Sequence, residues 1–140
     1  MMRIGVIWGL ATASMLGLAG GANAECDGDL LTVEEWGASI EKDDFLEYIR
    51  ISIELQWMGN QSIRMLDASV RFEDVLGRDI ASIGVERDIQ IGPMEMISDG
   101  GVYSSTGLAR LVDINPEDVM IKTCVRGYVT TDGQVVLVGE

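Results

Sequence analysis

Between positions 48 and 57 the apolar and polar residues alternate without a fault. Ile49, Ile51, Ile53, Leu55 and Trp57 fall on one side of an extended chain, and Arg50, Ser52, Glu54 and Gln56 fall on the other. Successive side chains of a strand point to opposite faces, so this is the period of a strand with one face in a core and one in water. The stretch reads as the central strand of the protein. Met58-Gly59-Asn60-Gln61-Ser62 then supplies turn-forming residues, and a second run places Leu66, Ala68, Val70 and Phe72 inward against Asp67, Ser69, Arg71 and Glu73. The simplest expectation is that the two runs are adjacent antiparallel strands.

The rest of the chain gives shorter pieces. Leu31-Thr32-Val33 and residues 36–40 suggest a first strand, followed by the polar loop Glu41-Lys42-Asp43-Asp44. After the turn-like Asp74-Val75-Leu76-Gly77-Arg78, residues 80–85 and 89–91 are β-prone up to a break at Gly92-Pro93. A strand is expected to start near Met94, with Asp99-Gly100-Gly101 as a break or bulge in it. Residues 108–114 are apolar but ambiguous in type, and Asn115-Pro116-Glu117-Asp118 reads as one helical turn with a capping Asn and a proline in its first turn. Residues 120–130 are rich in β-branched and aromatic residues, Asp132-Gly133 is a hairpin signal, and residues 135–138 can return antiparallel. Short strands, frequent turns and no long helix predict an all-β fold, an antiparallel β-sandwich of six to eight strands.

The first 24 residues differ from everything after them. Arg3 precedes an apolar stretch that runs to Leu18, and Ala22-Asn23-Ala24 forms the small-x-small pattern of a signal-peptidase site. Residues 1–24 are therefore read as a signal peptide, with a periplasmic or secreted single-domain product, 25–140, beginning at Glu25. Glu25 stands where a lipoprotein needs a small residue, which argues against lipidation of Cys26. The mature chain is not expected to span a membrane.

That product keeps all 23 acidic residues and nine of the ten basic ones, a net charge of −14. Such a field repels nucleic acid and attracts a cation or a basic protein; it also keeps an exported chain soluble and monomeric. The two cysteines, Cys26 and Cys124, stand near opposite ends of the mature chain, and in an oxidising compartment they are expected to form one intramolecular disulfide. The spacing is not that of a redox pair, and the chain has no His to activate a thiolate.

A further pattern is the order of features: a tryptophan-bearing first strand, a polar loop, the run ending at Asn60, and then Val70-Arg71-Phe72-Glu73-Asp74 with Gly77 before the next strand and Ile91-Gly92-Pro93 later. From about Val33 to Tyr103 this order resembles the immunoglobulin-like domains of bacterial envelope proteins known as FxLYD domains, although the naming Phe-x-Leu-Tyr-Asp string does not occur here. The resemblance implies an immunoglobulin-like β-sandwich with a binding or structural role and no catalytic motif to carry over.

The absence of His removes Ser-His-Asp triads, Cys-His pairs and the usual zinc sets together. No nucleophile-elbow, dinucleotide or P-loop motif is present either. No catalytic residue, metal ligand or cofactor is assigned. Carboxylate chemistry is what remains, since Glu34-Glu35, Asp43-Asp44, Glu73-Asp74 and Glu117-Asp118 are adjacent pairs; all four are read first as solvated loop charge. Asp27 and Asp29, or Asp113, Asn115, Glu117 and Asp118, could offer oxygen ligands to calcium, but capping by Asn115 explains the second group without a metal. Among the aromatic residues Trp57 is in phase with the core, and Trp36 and Tyr128 are taken as core before sugar-stacking surface; Met94 and Met96 are taken as core filler. The expected function is a non-enzymatic exported domain that binds an envelope protein or polysaccharide or has a structural role. The alternative is a small carboxylate-dependent hydrolase of envelope polysaccharide, which requires two carboxylates converging in a concave site.

Overall fold

The computed structural model describes residues 25–104 and 107–139; the signal sequence read in residues 1–24 lies outside the described residues. Seven strands follow in order: β1 (Leu31–Lys42), β2 (Glu47–Trp57), β3 (Ile63–Asp74), β4 (Asp79–Gly84), β5 (Met96–Ser104), β6 (Val119–Thr130) and β7 (Val135–Leu137). Between β5 and β6 lie a short helix, α1 (Ala109–Asp113), and a single 3₁₀ turn, Pro116–Asp118. The strands form two antiparallel sheets, ordered β1-β2-β5 and β4-β3-β6-β7, and one core cluster draws on both. The fold is all-β, in an arrangement compatible with a sandwich.

Every inward residue assigned to the two alternating runs is buried, but the runs are not neighbours in one sheet. β2 pairs with β1 and β5, and β3 pairs with β4 and β6. The cause lies in residues 58–62, which cross from one sheet to the other instead of closing a hairpin. There the Trp57 indole N–H donates to the Gln61 carbonyl at 2.9 Å, and Gly59 lies so close to the indole ring that any Cβ would strike it. Two apolar faces can be covered by facing each other as well as by lying side by side, and this crossing selects the first.

Other expectations are corrected locally. Glu41 and Lys42 belong to β1 and the turn starts at Asp43. A register shift between Val33 and Glu35 resets the phase of β1, so Val33 and Trp36 both pack against the core. Residues 89–91 form no strand, although Ile89 and Ile91 are buried and Ile91 bridges to Ile63. β5 starts at Met96 because Met94 sits in a turn with φ 63°, and both methionines are more than half exposed, not core filler. Asp99-Gly100-Gly101 is no break: β5 pairs with β2 continuously from Met96 to Ser104. Residues 108–114 contain α1, whose Leu111 is buried, and Asn115 accepts from the Glu117 amide as the cap of the 3₁₀ turn.

The N-terminal segment joins the second sheet. Asp27 exchanges both backbone hydrogen bonds with Val125 at 2.9 Å, and Thr123 donates its hydroxyl to the carbonyls of Gly28 and Leu31. Cys26 and Cys124 are disulfide-bonded beside this bridge, with Cα atoms 5.0 Å apart.

Candidate functional site

Strand direction gathers three connections at one end of the molecule. β2 runs away from the 43–46 turn, the crossing reverses the chain, and β3 runs back, so the 75–78 turn after Asp74 lies at the same end as residues 43–46. β5 also finishes there, since Ser104 pairs with Tyr48, and the connection carrying α1 follows.

Asp74 organises this end. One carboxylate oxygen accepts from the amides of Leu76 and Arg78, both at 3.0 Å, which shapes the turn; the other receives the Arg110 guanidinium of α1 at 2.9 Å. Its neighbour Glu73 is held by the Lys122 ammonium at 2.7 Å and the Arg71 guanidinium at 3.2 Å. Both carboxylates are buried, which corrects their reading as solvated loop charge. Burial is tolerated because each finds charged or amide donors. The Lys122 and Arg71 donors hold Glu73 below the ordinary carboxylate value. The Arg78 amide, aided by Arg110, does the same for Asp74. The Val75 amide donates to the Asp118 carbonyl at 3.0 Å, tying the turn to the 3₁₀ segment.

On this frame a cleft of about 600 Å³ opens between the 75–78 turn and α1, lined by Asp74, Leu76, Arg78, Asp79, Ile80, Gly107 and Arg110. That size falls within the range of about 300–1,000 Å³ typical of ligand sites. The lining itself is mixed, with Leu76 and Ile80 beside four charged side chains, and large apolar side chains stand exposed at this end: Leu76 is 91% exposed, Val75 about half, and Phe45 93% with Leu46 next to it in sequence. Arg78 makes no ion pair among the described residues. The arrangement presents apolar side chains and one open guanidinium on short turns fixed by a rigid scaffold, which suits binding.

No family model and no curated protein matches the sequence. A solved structure described as "X-ray structure of Northeast Structural Genomics Consortium target SoR45" is similar, with 14% identity, a TM-score of 0.38, and coverage of 79% of this chain and 83% of that one.

The structure places the remaining candidates elsewhere. Glu35 and Glu54 are register partners on the outer face of the first sheet and share a depression of about 220 Å³; Glu54 also accepts from the Ser98 hydroxyl at 2.5 Å. Asp27 accepts from the Asp29 amide at 2.7 Å in a local turn. Among the described residues no group of three or more His, Cys, Asp or Glu side chains could hold a metal ion, and no helix is long and apolar enough to cross a membrane. Trp57 is fully buried; Trp36 and Tyr128 are half-buried, in edge contacts with Phe72 and Trp57 at centroid distances of 5.4 and 5.2 Å. Sequence reading passed over Phe45 and Leu46, although two adjacent large apolar residues in an acidic turn break the alternation that β2 then sets. It read residues 74–78 as a turn but took the Asp74 carboxylate as solvated charge, although an Asp that opens such a turn commonly reaches forward to the backbone amides.

Proposed function

We propose that this chain is an exported, non-enzymatic immunoglobulin-like β-sandwich that binds a protein or polysaccharide of the cell envelope through the loop end described above. The observation that carries the reading is the conjunction, at one end, of exposed Phe45 and Leu76 with a cleft whose turn is pinned by Asp74. Large apolar side chains held in water at the tips of fixed turns are typical of contact surfaces. The signal sequence supplies the compartment. The test is a pull-down of the mature chain from envelope extract, beside a Phe45→Ser/Leu76→Ser variant. The expected result is a discrete bound species that the variant loses with its fold intact; equal capture by both proteins would remove the loop end from the reading.

The hydrolase alternative keeps one specific observation, the facing of Glu35 and Glu54 across a depression. That hollow is smaller than a sugar-sized pocket, so the binding reading is preferred. Release of reducing ends from envelope polysaccharide, abolished by Glu54→Gln, would reverse the preference.

A further inference from the structure

A second surface lies away from the loop end, along the outer edge of the second sheet. In the β6–β7 ladder the Thr130 amide donates to the Gln134 carbonyl and the Val138 amide to the Arg126 carbonyl, both at 2.9 Å. Antiparallel pairing alternates, so Gln134, Val136 and Val138 turn their backbone groups toward β6 while Val135 and Leu137 turn theirs outward. Among the described residues no strand pairs with that outer side.

Natural edge strands are usually guarded by charge, proline or a covering segment. Residues 134–139, Gln-Val-Val-Leu-Val-Gly, contain no charged residue and no proline, in a chain where charged residues make up 24%. The side chains of Val135 and Leu137 are 65% and 51% exposed, and with Met65, Tyr128 and Val129 they line a mostly apolar groove of about 200 Å³ whose lining also includes one charge of each sign, Asp67 and Arg87. The flanks carry the opposite character. Asp132 precedes the strand, and beyond its end the Glu25 side chain lies beside Gly139, with Asp27 continuing the same edge along β6. None of these three carboxylates makes an ion pair among the described residues; in a mature chain that begins at Glu25 the new α-ammonium offsets that residue's own charge, which leaves Asp27 and Asp132 as the net acidic flanks.

We propose that the outer edge of β7 is a strand-addition site for an extended segment of another protein, apolar at alternate positions in its middle and basic at its ends. The outward amide and carbonyl groups of Val135 and Leu137 recognise an extended backbone, the groove takes apolar side chains on the exposed face, and the acidic flanks select Lys or Arg. A second copy of this chain fits less well, because its own 134–139 segment has no base to offer those carboxylates.

The test uses the mature chain and a blocked synthetic peptide, Lys-Val-Thr-Val-Thr-Val-Lys. Two control peptides accompany it, one with Glu in place of Lys and one with alternate backbone nitrogens methylated. Amide hydrogen exchange and amide NMR shifts report on Val135 and Leu137. The expected result is protection of those two amides by the Lys peptide, binding at least about tenfold weaker for the Glu peptide, and loss of protection with the methylated one. Leu137→Pro removes an outward N–H that β6 does not use, so it should abolish binding with an unchanged strand signal; Leu137→Lys provides a second variant that keeps the backbone whole. Binding that leaves the two amides unprotected, binding indifferent to backbone methylation, or no binding at all would overturn the proposal. So would a concentration-dependent dimer of the mature chain that Leu137→Pro dissolves, since it would give the edge to a second copy.

Discussion

Two glycines show how differently one residue type can be required. Gly100 has φ 141° and lies against β2 so closely that a Cβ would collide with the Ile51 carbonyl, whereas Gly77, at φ 86°, has open space around it. Gly77→Ala should therefore cost about 1 kcal/mol for backbone strain alone, and Gly100→Ala clearly more, because β5 must also move off β2. Urea unfolding of the two variants compares them directly. A second pair tests the faces of β2: Ile53→Asp should leave the domain unfolded, since a carboxylate in that core has no partner, while Ser52→Asp on the exposed face should cost less than about 1 kcal/mol. At this scale the sequence was highly legible. A period of two names the buried residues directly, and all those assigned in β2 and β3 are buried. What it could not show was the fate of Asp99-Gly100-Gly101, because a glycine that breaks a strand and one that lets two strands approach look alike until the neighbour is known.

At the scale of an element, the β3–β4 turn depends on two ionised carboxylates. Glu73 and Asp74 titrate below their ordinary values of 4.5 and 3.8, chiefly through Lys122 for the first and the Arg78 amide for the second. The folded state then holds fewer protons than the unfolded one in the acid range. The stabilisation is present above the ordinary carboxylate values and is lost as pH falls through them toward the lower folded values. A Glu73→Gln/Asp74→Asn variant should be less stable near neutrality and should lose less further stability below about pH 5, giving a flatter acid limb in melts recorded against pH. Identical acid limbs in variant and parent would reject this account. The strand and turn positions here were readable from the residue pattern, but the ion pairs were not, because Arg110 and Lys122 reach β3 from 36 and 49 residues further along the chain and no local pattern encodes that meeting.

At the scale of the molecule, the Cys26–Cys124 bond closes a span of 98 residues. Chain-entropy reasoning gives such a closure about 4–5 kcal/mol as an upper figure. Reduction of the mature protein should lower its unfolding midpoint and free the Asp27–Val125 bridge to exchange, while the far-UV strand signal persists on the two-sheet core. Collapse of that signal on reduction would show that the sheets cannot stand without the clip. The assignment of strands to sheets has its own consequence in time. β3 has β6 as its longest partner, and β6 ends at Thr130, so a chain that appears N-terminus first can close the β1–β2 hairpin early but must leave one side of β3 open until β6 has emerged. The second sheet is thus completed only after the first has begun to form, and truncation within β6 should leave a chain that stays a substrate for chaperones and proteases.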